Sequence, residues 1–247
     1  MSLSPDEHAL FLDVDGTLLS IAPHPDAVVV RPELLKLLSQ LSQRLQGALA
    51  LISGRSIADL DKLFAPLVLP CAGVHGLEWR GADAVVHRAG AATLLEHLRQ
   101  PLADFARLHK GLLVEDKQQS LALHYRNAPS FETEAKAFLR DLIDAESSSL
   151  EVTRGKMVLE VKPAGADKGT AIAAFMREPP FAGRTPVFVG DDVTDEDGFK
   201  VVNQLGGLSI RVGFDENSLA ACSLPDEEAV DAWLRSWDTN GQQGKSQ

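Results

Sequence analysis

Short, unbroken apolar runs alternate with leucines at helical spacing over the first third of the chain, the pattern of buried parallel strands joined by helices. The first run leads into Phe11-Leu12-Asp13-Val14-Asp15-Gly16-Thr17-Leu18. It breaks at Gly16, so two carboxylates fall at a strand's carboxyl end. Pro32 is placed to open a helix in which Leu34, Leu37, Leu38, Leu41 and Leu45 share a face, and Gly47 closes it. A second strand is predicted at Ala48–Ile52, running into Ser53-Gly54-Arg55. A helix is predicted over about Ser56–Phe64, and a third strand over Leu67–Cys71, leading to Ala72-Gly73-Val74-His75-Gly76.

The middle of the chain changes character. Helical stretches at Ala92–Leu108 and Phe131–Ala145 are each followed by a strand pair: Leu112–Val114 with Leu121–Tyr125, then Leu150–Val152 with Met157–Val161. Charged turns join the members of each pair. Helix and hairpin repeated in this way predict a small α+β layer with its helices on one sheet face. From Ala166 the first pattern resumes: Lys168-Gly169-Thr170 opens a helix, Val187–Val189 is a buried strand ending in Gly190-Asp191-Asp192, and Leu208–Val212 is one more. The expected architecture is α/β: residues 1–85 and 164–247 form a Rossmann-like parallel-sheet core, and residues 86–163 are inserted into it as an α+β lid.

Composition narrows the partners. A formal charge of −11 excludes nonspecific nucleic-acid binding, which needs a basic surface to displace counterions. The two cysteines, Cys71 and Cys222, make no ligand spacing and are expected as buried small hydrophobes. The N-terminus lacks the basic-then-apolar order of a signal peptide, and no apolar run approaches the roughly 18 residues of a membrane span. A soluble, cytoplasmic protein is the expectation. The terminal stretch Thr239–Gln247 has no apolar residue and is expected to fray.

Taken singly, each polar motif is ordinary. Asp-x-Asp-Gly is a turn sequence, Ser53-Gly54-Arg55 a helix cap, Lys168 a solvated lysine, and Gly190-Asp191-Asp192 a strand-ending turn. Their order, each at the end of a strand or the start of a helix, points instead to phosphoryl transfer. Asp13 is suited to attack phosphorus, and Asp15 to protonate the leaving alcohol and then activate water. Mg²⁺ would sit between Asp13, Asp191 and the Asp15 backbone carbonyl, with Asp192 and Asp195 orienting metal-bound water or Lys168. Ser53, Gly54, the following helix N-terminus and Lys168 offer donors to phosphate oxygens. The charges support this reading: a phosphate dianion beside two aspartates brings about four negative charges, which Mg²⁺ and Lys168 offset by three.

The order Asp13-x-Asp15-Gly16-Thr17, Ser53, Lys168, Gly190-Asp191-Asp192 resembles the haloacid dehalogenase superfamily, and an insert between Ser53 and Lys168 is similar to its C2 type of cap. More specific segments resemble the trehalose-6-phosphate phosphatases. These are Leu51–Arg55, Gly73–Glu78, Val114–Lys117 leading to His124-Tyr125-Arg126, Gly155–Val161, and Gly190–Glu196. The resemblance spans Phe11 to Val212. It implies an Mg²⁺-dependent hydrolysis of trehalose 6-phosphate through an aspartyl-phosphate, with Glu115, Lys117, Arg126, Lys156 and Glu160 of the cap gripping the sugar. Arg55 is expected to reach substrate or brace the Asp13 loop, and His75 to touch ligand or steady its own loop. Val14 departs from the aromatic residue frequent in relatives and is expected to point into the core.

No synthase-like region precedes Asp13 and no extra regulatory domain is evident, so a stand-alone phosphatase is expected. The alternatives are a phosphatase for sucrose 6-phosphate or for glucosyl or mannosyl glycerate or glycerol phosphates, or a non-catalytic phosphosugar-binding regulator. The expected partner is a small phosphosugar, without nucleic acid or membrane. Nothing in the pattern sets the oligomeric state, for which a monomer suffices.

Overall fold

The computed structural model describes residues 4–21, 28–88, 92–144 and 149–239. In chain order the elements are β1 (His8–Leu12), α1 (Pro32–Arg44), β2 (Leu49–Ile52), α2 (Ile57–Phe64), β3 (Cys71–Gly73), β4 (Glu78–Arg80), β5 (Val86–Arg88), α3 (Ala92–Leu108), β6 (Leu113–Asp116), β7 (Leu121–His124), α4 (Glu132–Asp144), β8 (Leu150–Gly155), β9 (Val158–Pro163), α5 (Lys168–Phe175), β10 (Thr185–Gly190), α6 (Glu196–Gln204), β11 (Leu208–Val212), β12 (Cys222–Leu224) and α7 (Glu227–Thr239). They fall into two compact units, one of residues 1–86, 167–191 and 195–247, the other of residues 87–166 and 192–194. Ala145, and the tail beyond Thr239, lie outside the described residues. Among the described residues no helix is long and apolar enough to cross a membrane.

The first unit is built on one sheet, in the order β12-β11-β10-β1-β2-β3-β4-β5. Neighbours from β12 to β3 are parallel, and β3 pairs with β4 antiparallel. Its central strands are apolar and buried beyond their first residues, His8 in β1 and Thr185 in β10, as strands covered on both faces require. Leu10, Phe11 and Leu12 of β1 are fully buried between β2 and β10. Phe11 stacks on Phe181 with ring centroids 5.4 Å apart, and Phe175 closes the cluster. α1 begins at Pro32 and buries Leu34, Leu37, Leu38 and Leu41. Gly47, at φ +86°, supplies the left-handed step that sends the chain back into β2. The chain leaves β1 for β2 on one side and returns to β10 on the other, so β1 lies at the topological switch point, outside whose carboxyl end open α/β sheets bind ligands.

Two expectations need correction. The third strand is Cys71–Gly73 rather than Leu67–Cys71. Pro66 and Pro70 have no N–H to give a ladder and Val68 faces solvent, so pairing starts only where the prolines end. Cys222 is exposed on the edge strand β12, whereas Cys71 is buried in β3.

The second unit is a four-stranded antiparallel sheet, β6-β7-β9-β8. Leu121, Leu123, Leu159 and Val161 turn one face towards α3 and α4, where Leu95, Leu98, Leu102, Ala135 and Leu139 complete a separate core. The alternate residues Ser120, Ala122, Glu160 and Lys162 belong to the opposite face, as the two-residue period of a strand requires.

Candidate active site

Asp13 follows β1 directly, and its backbone N–H donates to the Val189 carbonyl of β10 at 2.9 Å. Asp191 follows β10, so both carboxylates leave the sheet side by side. Lys168 opens α5, which is anchored by a capping box: the Asp167 side chain takes the Thr170 N–H, and the Thr170 hydroxyl takes the Asp167 N–H. That cap fixes where the lysine starts. Its Nζ lies 2.7 Å from Asp13 Oδ1 and 2.6 Å from Asp195 Oδ1. The other Asp195 oxygen accepts the Asp191 N–H at 3.0 Å.

This cluster is dry, with Asp13 4%, Lys168 3% and Asp195 0% exposed. Burial pushes the Asp13 carboxyl well above its ordinary range; Lys168 pulls it down, and Asp195 and Asp191 push it up again. For Lys168, burial works against the charge, but Asp13 and Asp195 together outweigh it and hold the ammonium above its ordinary value. One lysine thus stays charged while two carboxylates compete for it, and with Asp191 nearby the deficit falls on Asp13.

Asp13, Asp191 and Asp195 each offer an oxygen within 4.8 Å of the others. Oxygen donors crowded in this way and short of positive charge suit a hard divalent cation such as Mg²⁺. The backbone makes room for the set, since a Cβ at Gly16 would lie 2.2 Å from an Asp191 carboxylate oxygen. Both oxygens of Asp195 are already engaged, which leaves Asp13 and Asp191 as the side chains suited to direct ligation.

Asp15 takes a different partner from Asp13. The chain turns after Val14, whose carbonyl accepts from Leu18 and Leu19 N–H, and Arg55 forks onto both Asp15 oxygens at 2.7 Å each. That pair joins the turn after β1 to the turn after β2. Ser53 is buried there, its hydroxyl accepting the Arg55 N–H at 3.1 Å. Ser56 caps α2 by accepting the Asp59 N–H, and the Ile57 N–H goes to the buried Glu78 carboxylate at 2.9 Å. The start of α2, expected to face phosphate, is therefore partly occupied by the protein itself.

The loop after β3 is strained. Val74 and His75 have φ of +47° and +52°, a region that a β-branched residue enters at a cost of order ~1–3 kcal/mol. Val74 N–H donates to the Arg55 carbonyl and His75 N–H to the Ser53 carbonyl. The imidazole lies against Gly54, where a Cβ would come within 2.7 Å of Nε2.

In the second unit, Glu115, Ala122 and Glu160 are register partners across β6, β7 and β9, so both glutamates share a face. Lys117 Nζ donates to Glu160 at 3.0 Å, and the buried Ser120 hydroxyl donates to its other oxygen at 2.5 Å. His124 Nε2 lies 2.8 Å from Glu115. Burial pushes Glu115 up, but the His124 hydrogen bond and the Lys117 charge prevail and hold its carboxyl below the usual range. Arg126 makes a different contact, donating to the Lys156 carbonyl at 3.3 Å. Asp192 belongs to this second unit and accepts the N–H of its neighbour Val193.

The structure thus gathers Asp13, Lys168, Asp191 and Asp195 into one cluster, and ties Asp15, Arg55, Ser53, Gly54 and His75 to one another. Glu115, Lys117 and Glu160 form a polar group of their own. Sequence reasoning passed over Ser120, His124 and Glu78 as functional residues. For Ser120 and His124 the strand alternation places them opposite the apolar Leu121 and Leu123; His124 and Glu78 also held motif positions, with no role attached to either.

The family model described as Trehalose-phosphatase matches residues 11–227. The probable trehalose-phosphate phosphatase of Sinorhizobium fredii is 46% identical over 231 residues, 93% of this chain and 87% of the relative. The trehalose-6-phosphate phosphatase of Escherichia coli is 45% identical over 242 residues, 96% of this chain and 89% of the relative. Among solved structures, the C-terminal domain of C. albicans trehalose-6-phosphate phosphatase superposes with a TM-score of 0.83 at 22% identity, covering 94% of this chain and 92% of that one. The C-terminal domain of the Candida albicans trehalose synthase regulatory protein gives 0.72 at 13%, covering 95% and 94%. At such identities the superpositions speak for the fold, that of the haloacid dehalogenase phosphatases. The sequence matches go further: this chain belongs to the trehalose-phosphatase family.

Proposed function

We propose that the protein hydrolyses trehalose 6-phosphate to trehalose and inorganic phosphate, with Mg²⁺ held by Asp13, Asp191 and the Asp15 carbonyl. The observation that carries this reading is Lys168, buried between Asp13 and Asp195 at the switch point of the sheet. A charged lysine spent on a nucleophile-bearing carboxylate pair has no use in a purely sugar-binding module. When bound, the cation would offset the charge of the carboxylates and of the phosphoryl oxygens.

An Asp13 oxygen attacks phosphorus and the bond from phosphorus to the sugar oxygen breaks. Asp15, protonated when substrate enters, gives that proton to the departing alkoxide and is left as the carboxylate on which Arg55 forks. In the second half Asp15 takes a proton from water, whose oxygen attacks phosphorus while the bond to Asp13 breaks, releasing phosphate, restoring the Asp13 carboxylate and returning Asp15 to its protonated form. Lys168 keeps Asp13 oriented and, with the Ser53 hydroxyl and Gly54 N–H, supplies positive potential and donors to the phosphoryl group. Asp195 aligns Lys168, and Asp192 is assigned a supporting role. Sugar hydroxyls would be read by Glu115, Lys117 and Glu160, and by Arg126 and Lys156 of the same unit, since fixed charged groups make the strongest hydrogen bonds to hydroxyls.

Phosphate release with Mg²⁺ across trehalose 6-phosphate, sucrose 6-phosphate and the glucosyl and mannosyl glycerate or glycerol phosphates tests this. Trehalose 6-phosphate is expected to lead by ~100-fold or more in kcat/KM, as a site that pairs buried polar groups with substrate hydroxyls allows. Equal turnover of another member of the panel would overturn the substrate assignment.

A further inference from the structure

We propose that Glu78 is a positioning residue for the phosphate-binding segment Ser53-Gly54-Arg55, acting through the first N–H of α2; the proposal rests on the hydrolase reading above. Glu78 is 3% exposed, and its Oε2 accepts the Ile57 N–H at 2.9 Å. The first N–H groups of a helix are strong anion donors. Here one of them is given to an internal anion, which pins the helix start, and with it the segment just before, in one orientation.

The same loop grips that segment from its other side. Val74 N–H reaches the Arg55 carbonyl at 2.8 Å and His75 N–H the Ser53 carbonyl at 3.1 Å. Gly73 permits the approach, because a Cβ there would lie 2.8 Å from the Arg55 carbonyl oxygen. Three residues on, Gly76 at φ +95° passes under the start of α5, where a Cβ would lie 2.9 Å from the Asp167 carbonyl oxygen. Asp167 is the residue before Lys168. One six-residue loop, Gly73–Glu78, therefore touches both the Ser53 segment and the helix cap that places Lys168. Glu78 is the acidic side chain that locks the Ser53 side of this bridge, and a displacement of ~1 Å there is enough to lower turnover by ~100-fold.

The test uses the whole protein with Mg²⁺ and orthovanadate as a phosphoryl mimic. Glu78→Ala is expected to raise the vanadate inhibition constant by about tenfold or more, and to speed exchange of the Ile57 amide hydrogen. Glu78→Gln keeps a carbonyl oxygen in reach of Ile57 and is expected to stay within about threefold of wild type on both readouts. A role confined to stability would lower the melting temperature of Glu78→Ala and leave the inhibition constant unchanged. That result in a folded variant overturns the proposal, as does Glu78→Gln behaving like Glu78→Ala. Should Glu78→Ala not fold, Glu78→Asp, one methylene too short, takes its place with the same expected and overturning outcomes. A wild-type protein that binds vanadate but leaves trehalose 6-phosphate intact would sink the substrate assignment while the Glu78 comparison still decides its own case.

Discussion

Arg55 and Asp15 form a two-point ion pair, Nε to Oδ2 and Nη2 to Oδ1, both at 2.7 Å. Planar, bidentate geometry fixes the carboxylate in rotation as well as position, which a lysine ammonium cannot do. If Asp15 moves the proton in both halves of the reaction, its aim sets the rate. Arg55→Lys is then expected to lower kcat by ~10-fold or more, because misplacing an acid–base group costs rate even when charge is kept. Steady-state kinetics on trehalose 6-phosphate checks this, and a fully active Arg55→Lys enzyme would show that the fork is dispensable.

Lys168 has a structural consequence as well as a chemical one. Without its ammonium, Asp13 and Asp195 would share a dry space uncompensated, so Lys168→Met in metal-free protein is expected to cost about 3–5 kcal/mol. Adding Asp195→Asn removes one of the stranded charges and should recover part of the loss. Denaturant unfolding of the two variants in chelator gives the comparison; a Lys168→Met protein as stable as wild type would mean that the carboxylates are solvated. Asp13→Asn keeps the shape of the cluster but removes the proposed nucleophile, and is expected to release no phosphate while still binding vanadate.

Elements with one strong pattern were legible from the residues alone. β2 is an unbroken apolar run, β1 and β10 are apolar after their first residues, and α1 carries its leucines on one face. Strands of three residues, such as β4 and β12, are too short to show a period. α7 was legible and passed over, since Val230, Leu234 and Trp237 hold helical spacing and are all buried. At the site, Asp13, Asp15, Lys168 and Asp191 stood out by motif. Which carboxylate each cation takes did not: Lys168 lies 155 residues from Asp13, and the division between Asp13 and Asp15 depends on the turn that separates them. Ser120 and Glu78 are buried partners of groups that only folding reveals.

The polar group of the second unit makes a prediction that separates recognition from chemistry. Glu160 is bonded by Lys117 and Ser120, so Glu160→Gln breaks a buried charged pair without changing shape. If this group reads sugar hydroxyls, the variant should raise KM for trehalose 6-phosphate by ~10-fold or more, the loss expected for a charged hydrogen bond. Hydrolysis of p-nitrophenyl phosphate, which has no sugar, should be unaffected. Equal losses on both substrates would place the group in folding rather than recognition.

Gly16 gives the sharpest test of the metal assignment, because its role is purely spatial. Its φ of +90° is one that L side chains rarely adopt, and an added Cβ would lie 2.2 to 2.6 Å from the Asp191 carboxyl group. Gly16→Ala must therefore push Asp191 aside or rebuild the turn, at a backbone cost of about 1 kcal/mol. A carboxylate moved from Asp13 can no longer share a cation with it. Calorimetric titration should show Mg²⁺ binding weakened by ~10-fold or more, by analogy with the loss of a residue that orients a ligand. The Mg²⁺ needed for half-maximal turnover should rise in parallel, and excess chelator should stop the wild-type enzyme altogether. Wild-type Mg²⁺ affinity in folded Gly16→Ala, and again in Asp191→Asn, would rule out Asp191 as a ligand.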